Sequence, residues 1–221
     1  MAGWRFRPAV KKKDLEIILQ GLAPHPRPSE RLEQYATPAG IAAEVLFFAA
    51  QLGDIQGKKV VDLGCGTGIL AIGAKAIGAR EVVALDLDEA ALAIAMKNAS
   101  GLGLDVGFLT LDVAEFPESC DTVLMNPPFG AQQAHADLPF LEAACRIARV
   151  IYSFHNAPSE DFVLAWLREH GGTVSHRLAY EFPIPRQFAF HRDDIRPVPV
   201  VLLRTVVRPW GVDRRARGAN A

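Results

Sequence analysis

The sequence predicts an α/β fold: a doubly wound, mostly parallel sheet with an antiparallel C-terminal end. Short apolar runs, which are typical of buried parallel strands, alternate with helical segments from Lys59 onward. A glycine-rich turn at residues 64–68 joins the first of these strands to a helix. The last two predicted strands, at 173–180 and 198–207, are joined by a proline-bearing connection at 182–199, and we expect them to form an antiparallel end of the sheet.

Two helices are predicted before the alternating region. Residues 14–21 place apolar side chains on one side of a short helix, and the three prolines within 23–29 exclude a helix there. The second helix is predicted at 37–52, with Thr37 as its N-cap and Pro38 as its first helical residue.

The alternating region has a regular order of elements. They are strands at 59–63, 81–86, 106–111, 121–125 and 150–154, and helices at 69–77, 89–99, 140–148 and 162–170. Right-handed crossovers would put these helices on both faces of the sheet. We therefore predict one domain over 1–221, with a helical extension at 1–52, a core at 53–207 and a flexible basic tail at 208–221.

The composition is that of a globular intracellular protein. The 221 residues are 50% hydrophobic and 22% charged, which is enough apolar material for a continuous core. The formal net charge is -1, so any contact with nucleic acid must come from a local basic patch. The 3 cysteines lack C-x-x-C spacing and predict neither a disulfide framework nor a zinc site. No signal peptide or membrane-spanning run is visible, and we expect a soluble cytoplasmic protein.

The glycine-rich turn predicts a cofactor site. Gly64, Gly66 and Gly68 follow a strand that ends near Asp62, and glycines there let the backbone turn tightly and approach a ligand. The dinucleotide pattern G-x-G-x-x-G would require a glycine where this chain has Ile69. The spacing instead resembles the first motif of S-adenosylmethionine-dependent methyltransferases, whose cofactor has no pyrophosphate. A strand-to-helix turn without a ligand is the structural alternative.

Two carboxylates at neighbouring strand ends add to this prediction. Asp86 ends the second strand, where it could accept hydrogen bonds from both ribose hydroxyls of a nucleoside. Asp112 follows the third strand and could accept from an adenine amino group, with the Val113 N–H nearby. Ligands of open α/β sheets bind outside the carboxyl ends of the strands, where all these features lie.

The most specific motif is Asn126-Pro127-Pro128-Phe129, directly after the predicted strand 121–125. It resembles the Asp/Asn/Ser-Pro-Pro-Tyr/Phe/Trp signature of methyltransferases that act on amino nitrogens, although a rigid turn capped by asparagine is the structural alternative. An exocyclic adenine amine is a weak nucleophile because its lone pair is delocalised into the ring. The Asn126 side-chain carbonyl and the Pro127 main-chain carbonyl could each accept one N–H and turn the lone pair toward a methyl group. The prolines would hold these acceptors in place, and Phe129 could offer a face to a flipped base.

The block Leu-Glu-Gln-Tyr-Ala-Thr at 32–37 is more diagnostic than the glycine-rich turn, and further blocks lie at 62–70, 86–92, 121–130, 152–155 and 190–191. Through these blocks the chain resembles the methyltransferase-like protein five family, whose members methylate one adenosine of small-subunit ribosomal RNA at N6. Two positions depart from the family pattern: Ala36 stands where proline is frequent, and Thr67 where cysteine is frequent. Both changes are small.

The resemblance implies a Rossmann-like methyltransferase sheet with S-adenosylmethionine as the cofactor. It also implies that Gln34 and Thr37 close over the cofactor from the N-terminal side, which makes the extension at 1–52 a lid. The other cofactor contacts that we expect lie in the glycine-rich turn, at strand ends and in the motif: Asp62, Gly64, Gly66, Thr67, Ile69, Asp86, Asp112, Val113 and Asn126.

RNA and a protein activator are the expected partners. Basic residues at both termini could bind the RNA backbone, or they could remain solvated. His155 and His191 could contact phosphate, but a structural role ranks first for a lone histidine at a strand end. The strand at 106–111 should lie at a sheet edge, where unpaired backbone invites pairing. The family works with a small zinc-containing activator protein, and the resemblance implies that this partner adds strands to that edge.

Three other functions compete with this one. A protein-glutamine methyltransferase uses a similar motif, but tyrosine is usual where this chain has Phe129, and a helical domain precedes its core. A non-catalytic RNA-binding or assembly module with a retained cofactor fold is disfavoured by the intact Asn126 and cofactor acids. An oxidoreductase with a nicotinamide cofactor ranks below both.

Overall fold

The computed structural model describes residues 10–26, 36–129, 136–185 and 195–207. The strands in these residues are β1 Lys59–Leu63, β2 Glu81–Asp86, β3 Gly107–Thr110, β4 Cys120–Met125, β5 Ala148–Asn156, β6 Gly172–Pro185 and β7 Ile195–Val207. The α-helices are α1 Lys12–Gln20, α2 Ala39–Gln51, α3 Ile69–Ala76, α4 Glu89–Gly101, α5 Leu138–Ile147 and α6 Glu160–Glu169.

The seven strands form one sheet in the order β3-β2-β1-β4-β5-β7-β6. The first five are parallel, and β7 runs antiparallel to both β5 and β6. This confirms the predicted mixed α/β sheet with an antiparallel C-terminal end. It also confirms that the third strand lies at an edge of the sheet.

The closing strands are longer than predicted, and the connection expected at 182–199 is wrong at both of its ends. β6 and β7 remain paired as far as Pro185 and Ile195, with Pro183 opposite Pro197. The outer part of β7, residues 195–199, pairs with β6 alone, because the pairing with β5 ends at Val200. Prolines are tolerated where a strand has a neighbour on one side only, so they do not end these strands.

The start of α2 also differs from the prediction. The helix begins at Ala39, and Pro38 is its N-cap, with φ -59° and ψ 137°. Thr37 does not cap the helix, because its hydroxyl accepts a hydrogen bond from the Asn126 side chain instead. A residue before proline is held in extended backbone, and Thr37 in this conformation is buried with its hydroxyl against Asn126.

Two apolar layers cover the sheet. Val60 and its neighbours on one face pack against α1, α2, α3 and α4, whereas Val61 and the residues of the other face pack against α5 and α6. The alternation follows from the strand geometry, in which successive side chains point to opposite faces. In the part of the chain that the structure describes, no helix is both long and apolar enough to cross a bilayer.

Candidate functional site

A cavity of about 320 Å³ opens at the carboxyl ends of the central strands. The register of the sheet explains its position, because Leu63 is opposite both Leu85 and Met125. The next residue of each strand therefore reaches the same edge. Of the residues predicted from the sequence, those that line the cavity are Thr37, Asp62, Gly64, Gly66, Thr67, Ile69, Asp86, Asp112, Val113, Asn126 and Pro128. Gln34 lies outside the described residues.

Gly64 is required by its turn on two grounds. Its φ is +70°, a left-handed conformation that side chains rarely adopt. A Cβ atom at this position would also lie 2.8 Å from Cε1 of Phe140, which itself lines the cavity. The first helix of the opposite layer, α5, therefore packs directly on the glycine-rich turn.

The Asp86 carboxylate joins two loops at the rim of the cavity. Its Oδ2 atom accepts from the Gly66 N–H at 2.7 Å, and its Oδ1 atom accepts from the Asp88 N–H at 2.9 Å. Each carboxylate oxygen can accept more than one hydrogen bond, so these contacts orient the group and leave capacity for a ligand.

Asp62 lies beneath the glycine-rich turn and is 1% exposed. Its Oδ2 atom accepts from the Ala71 N–H at 2.9 Å. Burial raises the pKa of Asp62 to about 7; the Ala71 hydrogen bond opposes this, and the charge of Asp86 adds to it. A cationic group bound in the cavity would favour the ionised form of this carboxyl.

Asp112 and Val113 form the wall after β3. The Asp112 Oδ1 atom accepts from the Ala114 N–H at 2.9 Å and starts the short 3₁₀ turn Val113–Glu115. Val113 is buried within that turn and also faces the cavity. The carboxylate is therefore held at the strand end by local structure, as Asp86 is on the neighbouring strand.

Asn126 follows β4 and lines the same cavity as Asp86 and Asp112. Its Nδ2 atom donates a hydrogen bond to Thr37 Oγ1 at 3.1 Å, and Thr37 is itself 4% exposed. Thr37 engages the amide nitrogen, and the other polar atom of the amide, Oδ1, is an acceptor. The arrangement can hold a hydrogen-bond acceptor beside a bound nucleoside.

The rest of the motif has two different environments. Pro128 lines the cavity, whereas Pro127 is buried beside it. The ring of Phe129 is partly buried and lies 6.2 Å, centroid to centroid, from that of Phe182 on β6. Phe182 in turn lies 5.3 Å from Phe154 on β5. An aromatic cluster thus supports the end of the motif from the antiparallel part of the sheet.

His155 has the structural role that ranked first. It is 1% exposed, its Nε2 atom lies 2.8 Å from Ser153 Oγ, and its Nδ1 atom lies 3.4 Å from Asp137 Oδ2. Such burial leaves no surface for RNA phosphate. His191 lies outside the described residues.

The three cysteines are free and buried. Burial raises the pKa of Cys145 to about 11 and that of Cys120 to about 12. Burial also raises the pKa of Cys65, in the wall of the cavity, well above its ordinary value. None of these thiols is a nucleophile near neutral pH, since the thiolate is the reactive form.

Other parts of the wall were not predicted from the sequence. They are His25, Ala36, Cys65, Leu70, Leu87, Ala91, Leu111, Pro139 and Phe140. Cys65, Leu87 and Leu111 adjoin the predicted residues in the sequence but carry no chemical signal of their own. His25, Pro139 and Phe140 belong to segments far from the motifs, and only the folded chain brings them to the cavity. No motif in the sequence marks His25, because this residue lies in a proline-bearing connection after α1.

Comparisons with known proteins identify the family of the chain. The Methyltransferase small domain family matches residues 41–148. The chain is 39% identical over 207 residues to an uncharacterised protein of Methanocaldococcus jannaschii, covering 88% of this chain and 94% of that protein. It is 36% identical over 200 residues to the rRNA N(6)-adenosine-methyltransferase Mettl5 of Drosophila melanogaster, covering 86% and 94%. A crystal structure of a candidate RNA methyltransferase from Pyrococcus horikoshii has a TM-score of 0.83 and 42% identity, covering 89% and 98%.

Proposed function

Because the chain belongs to the methyltransferase-like protein five family, we propose that it transfers a methyl group from S-adenosylmethionine to N6 of an adenosine in structured RNA, in particular small-subunit ribosomal RNA. The observation that carries this proposal is the shared cavity of Asn126, Asp86 and Asp112. It brings an amide acceptor next to two carboxylates that suit a nucleoside.

The residues of the cavity fit the cofactor. Asp86 would accept from the ribose hydroxyls, and Asp112 with the Val113 N–H would hold the adenine. Asp62 beneath the glycine-rich turn would offset the positive charge of the ammonium group at the methionine end. S-adenosylmethionine supplies an electrophilic methyl group on sulfur. The acids at the strand ends and the apolar wall between them give this chain the means to bind it.

Asn126 and Pro127 would act on the acceptor amine. The Asn126 Oδ1 atom and the Pro127 main-chain carbonyl each accept one N–H of the adenine, which directs the nitrogen lone pair toward the methyl group. These fixed acceptors also stabilise the positive charge that develops on nitrogen. No strong general base is needed, because the methylated nitrogen loses its proton to water afterwards. Thr37 keeps the amide of Asn126 in the required orientation through the hydrogen bond to Nδ2.

The product identifies the reaction. The protein is incubated with labelled S-adenosylmethionine and either small-subunit ribosomal RNA or a release-factor protein, and the labelled RNA is digested to nucleosides. We expect label in N6-methyladenosine and none in the protein. Label in the release factor, on a glutamine, would instead indicate the protein-glutamine reaction.

We also propose that β3 pairs with a small zinc-containing activator protein. β3 has four residues without charge, and Leu109 on it is 43% exposed. On the other face of the strand, Phe108 borders a shallow hollow together with Met96 of α4, which is 48% exposed. The opposite edge is protected: β6 carries a bulge between Val174 and His176. An uncharged edge beside exposed apolar side chains suits β-augmentation.

The activator proposal is tested by co-expression. The complex should purify together and be more active than the chain alone, and Leu109→Lys should release the partner, because a charge would be introduced where strands meet. Arg177→Ala on the opposite edge is the matched control and should leave the complex intact. A purified chain that is monodisperse, stable and fully active alone would contradict the proposal.

RNA contact and a cytoplasmic location are further parts of the proposal. Of the basic terminal residues that could bind RNA, Lys11, Lys12 and Lys13 are described and exposed at the start of α1, where Lys12 pairs with Glu44 at 3.4 Å. The other basic terminal residues lie outside the described residues, and the net charge of -1 leaves no overall attraction for RNA. We propose that the target RNA is recognised by its structure as well as by these local charges.

The free thiols of Cys65, Cys120 and Cys145 suit a reducing cytoplasm.

A further inference from the structure

We propose that residues 21–26, which follow α1, form a wall of the cofactor cavity in which His25 contacts S-adenosylmethionine and Asn98 on α4 is the positioning residue. This inference rests on the proposed use of that cofactor by the cavity. It adds a binding residue that no motif of the sequence indicates.

His25 lines the cavity with Asp86 and Leu87. Its Nε2 atom lies 3.4 Å from Asp88 Oδ2, and its side chain is 15% exposed. Asp88 is part of the same corner of the site, because its N–H donates to Asp86 Oδ1. The imidazole ring is therefore beside the carboxylate that would accept the ribose hydroxyls, where it can offer a flat face to a nucleoside.

Asn98 holds the segment at this position through both polar atoms of its amide. The Ala23 N–H donates to Asn98 Oδ1 at 2.9 Å, and Asn98 Nδ2 donates to the Ala23 carbonyl at 3.1 Å. Asn98 Nδ2 also donates to the carbonyl of Thr67 at 3.2 Å. One side chain thus connects α4, the segment after α1 and the glycine-rich turn.

The targets of these contacts point to a role in binding. Leu15 and Leu19 already bury the apolar side of α1, so the helix does not need Asn98 to pack on the core. The contacts of Ala23 and His25, in contrast, end on residues next to the cavity: Asn98, which reaches Thr67, and Asp88. A ligand that stabilises those loops will stabilise the docked segment, and the docked segment will raise the affinity for the ligand by the same factor.

Binding of S-adenosylhomocysteine in the absence of RNA tests the inference. Isothermal titration should show affinity reduced about 5- to 20-fold for His25→Ala and for Asn98→Ala, the range of an ordinary coupling between sites. His25→Gln should retain most of the affinity, because the glutamine amide nitrogen can occupy the position of Nε2. Lys97→Ala, an exposed change on the same helix, is the matched control and should bind as the wild type does.

Two more measurements separate binding from general stability. In turnover with RNA, His25→Ala and Asn98→Ala should raise KM for the methyl donor and leave kcat at saturating donor nearly unchanged. Hydrogen exchange of the Ala23 amide should slow when S-adenosylhomocysteine is added to the wild type, and much less in Asn98→Ala. The thermal midpoint of each ligand-free variant shows whether the variant is folded. We expect His25→Ala to fold, because it changes a connection outside the core.

The outcomes distinguish this inference from the proposed function. Equal affinity of the wild type and of both alanine variants for S-adenosylhomocysteine would overturn the proposal that residues 21–26 form a wall of the cavity. The proposed function would still stand. A lower kcat with an unchanged KM for the donor would also overturn the proposal for residues 21–26. Failure of the wild type itself to bind S-adenosylhomocysteine would overturn both.

Discussion

The Asp62 carboxyl should make the stability of the protein depend on pH, and Asp62→Asn tests this. The residue is 1% exposed and accepts a hydrogen bond from the Ala71 N–H. Burial raises its pKa from 3.8 to about 7, with the Ala71 hydrogen bond opposing the shift and the charge of Asp86 adding to it. Between pH 3.8 and about 7, the Asp62 carboxyl is therefore protonated in the folded protein and ionised in the unfolded chain.

The direction and size of the effect follow from this difference. The stabilisation that the protonated Asp62 carboxyl gives to the fold is fully present below pH 3.8 and is lost as the pH rises through about 7. The full change is about 4 kcal/mol, since one pKa unit corresponds to ~1.4 kcal/mol. From about pH 5 to about pH 8, the free energy of unfolding should lose about 2–3 kcal/mol through this carboxyl.

Urea denaturation of the wild type and of Asp62→Asn across that range measures the effect. Asparagine can still accept from the Ala71 N–H, but it does not titrate. The stability of the variant relative to the wild type should therefore rise by about 2–3 kcal/mol between the two ends of the range. A difference that stays constant with pH would refute the reasoning, because the protonation of Asp62 would then not be linked to folding.

Two further changes test the packing around the site. Gly64→Ala should lower the free energy of unfolding by about 1–3 kcal/mol more than Gly57→Ala. Both glycines have φ +70°, but a Cβ at Gly64 would meet Phe140, whereas nothing lies within 4 Å at Gly57; equal losses would contradict this explanation. His155→Gln should lower the free energy of unfolding by about 1–3 kcal/mol, because buried polar groups lose a partner. His155→Asn should lower it less, because the asparagine amide nitrogen takes the place of the Nδ1 atom that faces Asp137. Equal losses for these two variants would argue against a stabilising contact between Nδ1 and Asp137.

The strands and the glycine-rich turn could be predicted because their signals are local. β1 and β2 have the predicted bounds, since each is an apolar run followed by turn residues. The position of the cavity followed from the same local features, because parallel strands end at one edge. Asn126 lies in the cavity with Asp86 as the motif predicted, although the role of each residue in binding or catalysis stays a prediction.

The features that could not be predicted depend on distant parts of the chain. Thr37 looked like an N-cap, but a hydrogen bond from Asn126 decides its role. The prolines of β6 and β7 suggested a connection, and only the sheet order reveals that they stand where strands have one neighbour. Asn98 carries no local signal at all, because its partners are Ala23 and the glycine-rich turn.

The role of Asn126 is tested most directly by comparing methyl transfer and donor binding in one variant. Asn126→Ala should reduce kcat on ribosomal RNA at least ~100-fold, the scale of removing one preorganised polar contact. Its affinity for S-adenosylhomocysteine should stay within about threefold of the wild type, since the acids at the strand ends remain. Asn126→Asp, which keeps an acceptor oxygen, should retain more activity than Asn126→Ala. Methyl transfer by Asn126→Ala at a rate near that of the wild type would contradict the account.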